Sequence, residues 1–211
     1  MLVLAQRSLG RSQFMIECVT VGVFLMTKTP FKINTLKEYL NFDDGTDKRY
    51  DLVDGVLVEM PPGTGKHEQI ITLLLVRFFL EKERLGLPLE PRPNGTEVLT
   101  KKQPRRPDVS VMTVEQAQTI EKTSAILRTP PLLIVEVVSP ESVDRDYNEK
   151  SSEYADFGVG EYWIVDPLLN KVTICLLSQG VYQQSVYTKN QRIVSRLFPE
   201  LELTANQALC I

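Results

Sequence analysis

Apolar residues follow two patterns along this chain, a helical spacing and short continuous runs, and each pattern predicts a different kind of element. Between residues 67 and 84 they stand three and four positions apart, which puts them on one face of a helix that ends at Gly86. Short apolar runs predict strands, among them 108–112 and 132–138. The second run is apolar on both strand faces, so we expect a buried central strand there.

Turn and cap residues extend this outline. Thr35 and Glu38 predict a capping box for a short helix over 35–40, and Asp54-Gly55 predicts a type I′ hairpin turn between strands 50–53 and 56–60. We also expect a strand, a turn and a strand within 88–99, strands at 161–166, 171–177, 181–187 and 193–198, and helices at 114–118, at 142–157 and at the end of the chain. Together these elements predict an α/β protein with a mixed sheet.

Composition narrows the class of protein. The chain has 211 residues, of which 43% are hydrophobic and 24% charged, so one globular domain is the expected organisation. The net charge of −3 gives no overall attraction to nucleic acid, and a site for a polyanion must therefore be local. Cys18, Cys175 and Cys210 lie far apart, which favours a reducing cytoplasm over a disulfide framework or a zinc knuckle.

The first segment differs from the rest. Residues 14–26 are apolar, but Glu17 interrupts them, no small-residue cleavage site follows, and the run is too short to cross a bilayer. We favour an upstream extension over residues 1–25, as a mis-called start would produce, with a single domain over 26–211. A peripheral helix or strand is the alternative, and a membrane anchor is the interpretation least favoured.

Two carboxylates stand out. Asp108 follows Pro107 at the start of an apolar strand, where an aspartate that caps a turn is the common alternative. Glu136 interrupts the apolar run 132–138, and a buried carboxylate is costly unless it is paired, protonated or bound to a metal. A glutamate paired with a core arginine or lysine is the structural alternative. Two such carboxylates on neighbouring strands would bind a hard divalent cation through oxygen.

Lys150 lies on the helix that follows Glu136. Asp146 stands four residues before it, a spacing typical of a surface ion pair. Tyr154 and Phe157 continue the same helical face, which suggests that this face packs inward and carries Lys150 toward the carboxylates. A solvated helix charge remains the competing interpretation.

Other polar residues are secondary candidates. Glu59 ends a strand, and His67, the one histidine, begins a helix, so each is a candidate for an acidic group, a base or a substrate contact. Four cations precede Asp108 and would hold phosphates locally, although a solvated loop is the usual role of such a run: Lys101, Lys102, Arg105 and Arg106.

A phosphate-binding loop for nucleotides is not indicated. Residues 61–66 read PPGTGK between a strand and a helix. The P-loop pattern requires a glycine at position 60 and a serine or threonine at position 67, where this chain has Met60 and His67. We therefore expect no nucleotide cofactor.

The order of several motifs resembles a known family. The chain contains the hairpin YDLVDGVLVEM, then RPDVSV, LIVEVVSP, RDYNEKSSEY and GVGEYWIVDP. This order resembles the restriction endonuclease-like proteins of the Uma-two type, within the PD-(D/E)XK nuclease superfamily, and the resemblance covers residues 36–203.

The resemblance implies a central mixed β-sheet flanked by helices, with an N-terminal β-hairpin. It implies that Asp108 and Glu136 are metal ligands, with the Val137 carbonyl as a third oxygen, and that Lys150 is the catalytic lysine. The chain departs from the superfamily pattern at Val138, where the lysine of E-x-K would stand. In this family Lys150 on the helix replaces it.

The function implied is a Mg²⁺-dependent endonuclease, with Mn²⁺ as a substitute, that hydrolyses phosphodiester bonds of DNA, with duplex DNA preferred. A homodimer would suit a duplex cutter, and the expected location is the cytoplasm, away from the membrane. Two alternatives stay open. One is a nuclease-fold protein that binds nucleic acid or a protein partner without cutting, and the other is a structural protein whose carboxylates form ordinary ion pairs.

Overall fold

A computed structural model describes residues 32–33 and 35–211. The helices are α1 (Leu36–Leu40), α2 (Gly65–Leu85), α3 (Val114–Thr119), α4 (Lys150–Phe157) and α5 (Ala205–Ala208). The strands are β1 (Arg49–Val53), β2 (Val56–Met60), β3 (Leu89–Pro93), β4 (Glu97–Leu99), β5 (Pro104–Arg105), β6 (Val109–Thr113), β7 (Ile126–Leu127), β8 (Leu133–Val137), β9 (Glu161–Asp166), β10 (Lys171–Ser178) and β11 (Val181–Thr188).

Local sequence signals account for the first half of the fold. Asp54 and Gly55 both have positive φ, 48° and 79°, and they join β1 to β2 in the hairpin that the sequence predicts. The Thr64 side chain caps α2 by accepting the His67 backbone N–H. Gly86 ends α2 in the left-handed conformation at φ 63°.

A six-stranded sheet forms the centre of the molecule, in the order β11-β10-β9-β8-β6-β3. β8 and β9 are parallel, and the other neighbouring strands are antiparallel. The sheet is therefore mixed, as expected, and β8 is an interior strand whose five residues are all buried. A smaller sheet, in the order β5-β4-β7, lies beside it.

Both faces of the central sheet are covered by apolar clusters. Alternate residues of β8, such as Val135 and Val137, pack with Phe78 of α2 and with residues near α5. The intervening residues, such as Ile134, pack with Tyr154 of α4. Because strand side chains alternate, Glu136 directs its carboxylate toward the face covered by α4.

The predicted helix over 142–157 contains an irregular turn. Residues Arg145–Glu149 form a π-helical turn that leads directly into α4, and Gly158 ends α4 at φ 99°. Single π-turns inside helices are frequent at functional sites. Here the turn ends at Glu149, directly before Lys150, whose side chain contacts Glu136 of β8.

One predicted strand is wrong. Residues 193–198 alternate in burial, with Ile193, Ser195 and Phe198 buried, but they form no strand. An isolated bridge between Arg192 and Thr204 precedes the segment, and Ile193 and Phe198 pack in the apolar cluster on one face of the sheet. Alternating burial in a loop produced the same sequence pattern as a strand.

The N-terminal extension over 1–25 lies outside the described residues. In the part of the chain that the structure describes, no helix is long and apolar enough to cross a membrane.

Candidate active site

Asp108 and Glu136 come together where two neighbouring interior strands meet, at the start of β6 and the end of β8. β6 and β8 are antiparallel, with Val109 opposite Val135. One further step in this register sets Asp108 opposite Glu136. The two acids are 28 positions apart in the sequence (136 − 108) yet adjacent across the ladder, which is the arrangement that a shared cation would require.

Asp108 is held by a strand and a helix. Its Oδ2 accepts the Val137 backbone N–H at 2.7 Å. The Nε2 atom of His67, in the first turn of α2, lies 3.4 Å from the same Oδ2. His67 was a secondary candidate from the sequence, and the structure brings it into contact with Asp108.

Glu136 is buried, and both of its carboxylate oxygens are engaged. Oε1 accepts the Tyr154 hydroxyl at 2.7 Å, and Oε2 lies 2.9 Å from the Lys150 Nζ. Tyr154 and Lys150 are four residues apart, so one face of α4 supplies both contacts. This face of α4 points inward, as we inferred from Tyr154 and Phe157, and it brings Lys150 to the end of β8.

Lys150 joins two carboxylates. Its Nζ lies 2.9 Å from Glu136 Oε2 and 2.9 Å from Asp146 Oδ1, and Asp146 also accepts the Ser142 hydroxyl through Oδ2. The Asp146–Lys150 ion pair exists as the spacing predicts, but it is not a surface pair. The Asp146 side chain is 1% exposed and that of Lys150 is 9% exposed.

Three acidic groups lie around the Lys150 ammonium: Glu136 and Asp146 contact it, and Asp108 lies close enough to raise its pKa. Burial raises the pKa of Glu136 to about 8, and the negative charges of Asp108 and Asp146 add to the rise against the opposing effect of Lys150. Burial alone would lower the pKa of Lys150, but Glu136 and Asp146 outweigh it and raise that pKa.

His67 adds a second basic group. Burial lowers its pKa, but the Asp108 carboxylate and, to a lesser degree, Glu68 outweigh burial and raise the pKa to about 9. His67 is therefore cationic at neutral pH in this arrangement. It and Lys150 approach the carboxylates from opposite sides, one from α2 and one from α4.

The oxygen donors of the site are chemically suited to a hard cation, but they do not form a complete metal-binding site. The available groups are carboxylate oxygens, which Mg²⁺ and Mn²⁺ favour. Within residues 32–33 and 35–211, however, no group of three or more His, Cys, Asp or Glu side chains is placed to hold a metal. Two carboxylates and backbone oxygen remain, so Asp108, Glu136 and the Val137 carbonyl are the residues that would hold it.

The four cations before Asp108 separate into two pairs. Lys101 and Lys102 are exposed. Arg105 is buried and donates two hydrogen bonds of 2.8 Å to Glu153, while Arg106 lies 2.6 Å from Glu97. In this arrangement the two arginines hold β4, β5 and α4 together, and the two lysines are the ones accessible to a phosphate.

Three residues lie in surroundings that the sequence did not predict. Glu59 is exposed and pairs with Lys48 at 2.6 Å on the hairpin, with no contact to Asp108 or Glu136 among the described residues. Tyr154 and Asp146 both reach the site, one on Glu136 and one on Lys150. The signal for them was the spacing Asp146, Lys150, Tyr154, at intervals of four residues along one helical face.

The central mixed sheet, its flanking helices and the N-terminal hairpin define a restriction endonuclease-like α/β fold. The chain belongs to the Uma2 family, described as putative restriction endonucleases, whose model matches residues 36–206. This confirms the resemblance drawn from the motifs, and membership makes the chain a nuclease-like protein.

A solved structure agrees with this fold. A crystal structure of a putative nuclease from Anabaena variabilis is similar to this chain with a TM-score of 0.70 and 18% sequence identity. The similarity covers 84% of this chain and 98% of that one. A comparison with curated proteins gives no match.

Proposed function

We propose that this chain is a divalent-metal-dependent endonuclease that hydrolyses DNA phosphodiester bonds, with duplex DNA as the preferred substrate. The observation that carries the proposal is the meeting of Asp108 and Glu136 across two neighbouring strands, with the Lys150 ammonium 2.9 Å from Glu136. Membership in a family of restriction endonuclease-like proteins supports the reaction class.

Asp108, Glu136 and the Val137 carbonyl would hold Mg²⁺, for which Mn²⁺ is the expected substitute. The bound ion would lower the pKa of a water ligand and offset charge on the phosphate. The remaining roles belong to the chain itself. Asp146 keeps Lys150 protonated and directed at Glu136, near the end of β8. There the ammonium would stabilise the additional negative charge on the phosphate during attack.

Substrate contacts are proposed for the outer residues. Lys101 and Lys102 would bind phosphates of the DNA backbone next to Asp108, as exposed lysines do. His67, which is cationic and touches Asp108, would contact the substrate or help to hold Asp108 in place. Glu59 stays a secondary candidate for a second metal, and only after movement of the hairpin.

A nuclease-fold protein that binds nucleic acid or a protein partner without cutting is the second candidate. One observation favours it: both oxygens of Glu136 are already engaged, by Tyr154 and Lys150. A ligand role for Glu136 requires at least one of these contacts to yield. Binding of DNA without cleavage under any metal condition would support this candidate.

The location proposed is the cytoplasm. Cys175 and Cys210 are free thiols, the first of them buried, and burial raises the pKa of the Cys175 thiol to about 12. A thiol in this state is unreactive, which is compatible with a reducing compartment.

A cleavage assay on plasmid and linear DNA with Mg²⁺ or Mn²⁺ tests the main proposal. Asp108→Ala and Glu136→Ala should each abolish cleavage, and Lys150→Ala should lower the rate while metal binding persists. Asp156→Ala, on the exposed side of α4, is the matched control for loss of a carboxylate. Cleavage that survives in the Asp108→Ala/Glu136→Ala double variant would contradict the proposal.

A further inference from the structure

The two edges of the central sheet differ in how they are protected. At one edge, β3 contains Pro91 and Pro93 and an ion pair between Arg92 and Glu90 at 3.1 Å. Prolines and charges are the usual devices that prevent another strand from pairing with an edge. The opposite edge, β11, contains neither proline nor charge over Val181–Thr188, and Val181 and Val186 are more than half exposed.

The backbone of β11 has a defined open stretch. The Thr188 N–H donates to Gln191 Oε1 at 2.8 Å, and the Thr188 carbonyl accepts the Gln191 N–H at 3.1 Å, so Thr188 directs its backbone groups away from β10. In an antiparallel ladder this direction alternates, and therefore Tyr182, Gln184 and Val186 share it. Gln191 closes the edge at Thr188, which leaves a stretch centred on Gln184 that is open among residues 32–33 and 35–211.

We propose that β11 pairs with β11 of a second copy of this chain, antiparallel and with Gln184 on the two-fold axis. In this register Tyr182 lies opposite Val186 of the second copy, and Val181 lies opposite Tyr187. Each is an aromatic side chain beside a β-branched one, a favourable cross-strand pair. Gln183 lies opposite Ser185, so polar residues occupy the middle.

A shift of the register removes this match. With Ser185 on the axis, Gln184 would face Val186 and Gln183 would face Tyr187, which sets polar residues against apolar ones. The open stretch is also symmetric about Gln184 and not about Ser185. Side-chain pairing and the positions of the free backbone groups therefore select the same register.

The interface would join two six-stranded sheets into one continuous sheet. It consists mainly of one strand pair, so the buried area is small and the dimer is expected to dissociate on dilution. β9 and β10 separate β11 from β8, which carries Glu136, so each copy keeps its own complete site. Dimerisation through β11 is therefore independent of the proposed nuclease activity, and each can be tested without the other.

Sedimentation velocity of the full chain over a concentration series tests the interface. The wild type should dimerise reversibly. Gln184→Pro should be monomeric, because it removes an outward N–H that β10 does not use, and an edge strand tolerates proline at such a position. Gln184→Thr, which keeps the N–H, is the matched control and should dimerise like the wild type.

A charge pair tests the register even if the proline variant folds poorly. Gln184→Lys and Gln184→Glu each place like charges opposite each other on the axis and should weaken the dimer at least about fivefold. An equal mixture of the two variants should recover the dimer as a heterodimer, seen by native mass spectrometry. A monomeric wild type at every concentration, or a dimer unaffected by all three disruptive variants, would overturn the proposal.

Discussion

Two buried glutamates on adjacent parallel strands are held in opposite ways. Glu161, at the start of β9, is 1% exposed, and all of its partners are neutral. Oε1 accepts the Trp163 indole N–H at 2.7 Å, and Oε2 accepts the backbone N–H groups of Arg196 and Leu197 at 2.9 and 2.8 Å. Two of these donors are backbone groups of the segment after β11, so Glu161 connects that segment to the sheet.

Glu136, on β8, is 2% exposed and lies on the other face. Its partners are a lysine ammonium and a tyrosine hydroxyl, and two further carboxylates lie nearby. Burial alone therefore does not distinguish the two glutamates, whereas their partners do. Glu161 accepts only from neutral donors, and Glu136, which lies among a lysine and two further acids, is the one that we propose as a metal ligand.

Exchange of each glutamate for glutamine should separate the two roles in catalysis. Glu136→Gln removes a proposed metal ligand and should lower the cleavage rate at least about 100-fold. Glu161→Gln leaves the proposed site unchanged and should retain cleavage within a few-fold at temperatures where it stays folded. Rates on one DNA substrate at a fixed Mg²⁺ concentration provide the measurement, and an equal loss in both variants would remove the distinction.

The same two variants should reverse their order in stability. Glu161→Gln weakens charge-assisted hydrogen bonds from two backbone N–H groups and should lower the free energy of unfolding by about 1–3 kcal/mol. Glu136→Gln removes a carboxylate that is costly to ionise, and we expect a smaller loss at neutral pH. Urea denaturation of the metal-free proteins, followed by circular dichroism, measures both, and a larger loss in Glu136→Gln would contradict this order.

The pH dependence of stability should also distinguish them. The pKa of Glu136 is raised from 4.5 to about 8 in the folded protein, so its contribution to stability is complete below pH 4.5 and is lost as pH rises through about 8. The wild type should therefore lose up to about 1.4 kcal/mol per pH unit over this range relative to Glu136→Gln. Parallel pH profiles of the two unfolding free energies would show that Glu136 is not protonated in the folded state.

Tyr154→Phe should give the smallest effect. It removes the hydroxyl that donates to Glu136 Oε1 and leaves the aromatic packing against Tyr162 in place. The loss of one hydrogen bond corresponds to about 0.5–1.5 kcal/mol, and this hydroxyl occupies an oxygen that a metal would use, so we expect at most a several-fold increase in metal affinity with the fold retained. Tyr182→Phe, which removes a hydroxyl bound to the Val159 carbonyl, is the matched control and should leave metal affinity unchanged.

Local signals in the sequence predicted the elements whose causes are local. The Asp54-Gly55 turn and the Gly86 stop each depend on a few adjacent residues, and the hairpin and the end of α2 were predicted accordingly. The strand predicted over 193–198 was wrong because the burial of that loop comes from packing against the sheet and not from strand pairing. The π-helical turn at Arg145–Glu149 has no sequence signal that we recognise.

The sequence named the main residues of the candidate site, but it did not predict their burial or all of their contacts. The sequence singled out Asp108, Glu136 and Lys150, and it paired Asp146 with Lys150. Burial of that pair, and the contact of Tyr154 with Glu136, depend on how α4 crosses β8, which no local pattern specifies. For the same reason the sequence could not separate Arg105, which is buried against Glu153, from the exposed Lys101 and Lys102.

Calorimetric titration of Mn²⁺ and Mg²⁺ tests the central claim most directly, because it measures metal binding without relying on cleavage. The wild type should bind, and the Asp108→Asn/Glu136→Gln double variant should not, while Glu161→Gln should bind as the wild type does. A wild type that binds neither ion, with DNA absent and with DNA present, would contradict the account and leave Glu136 a structural partner of Lys150.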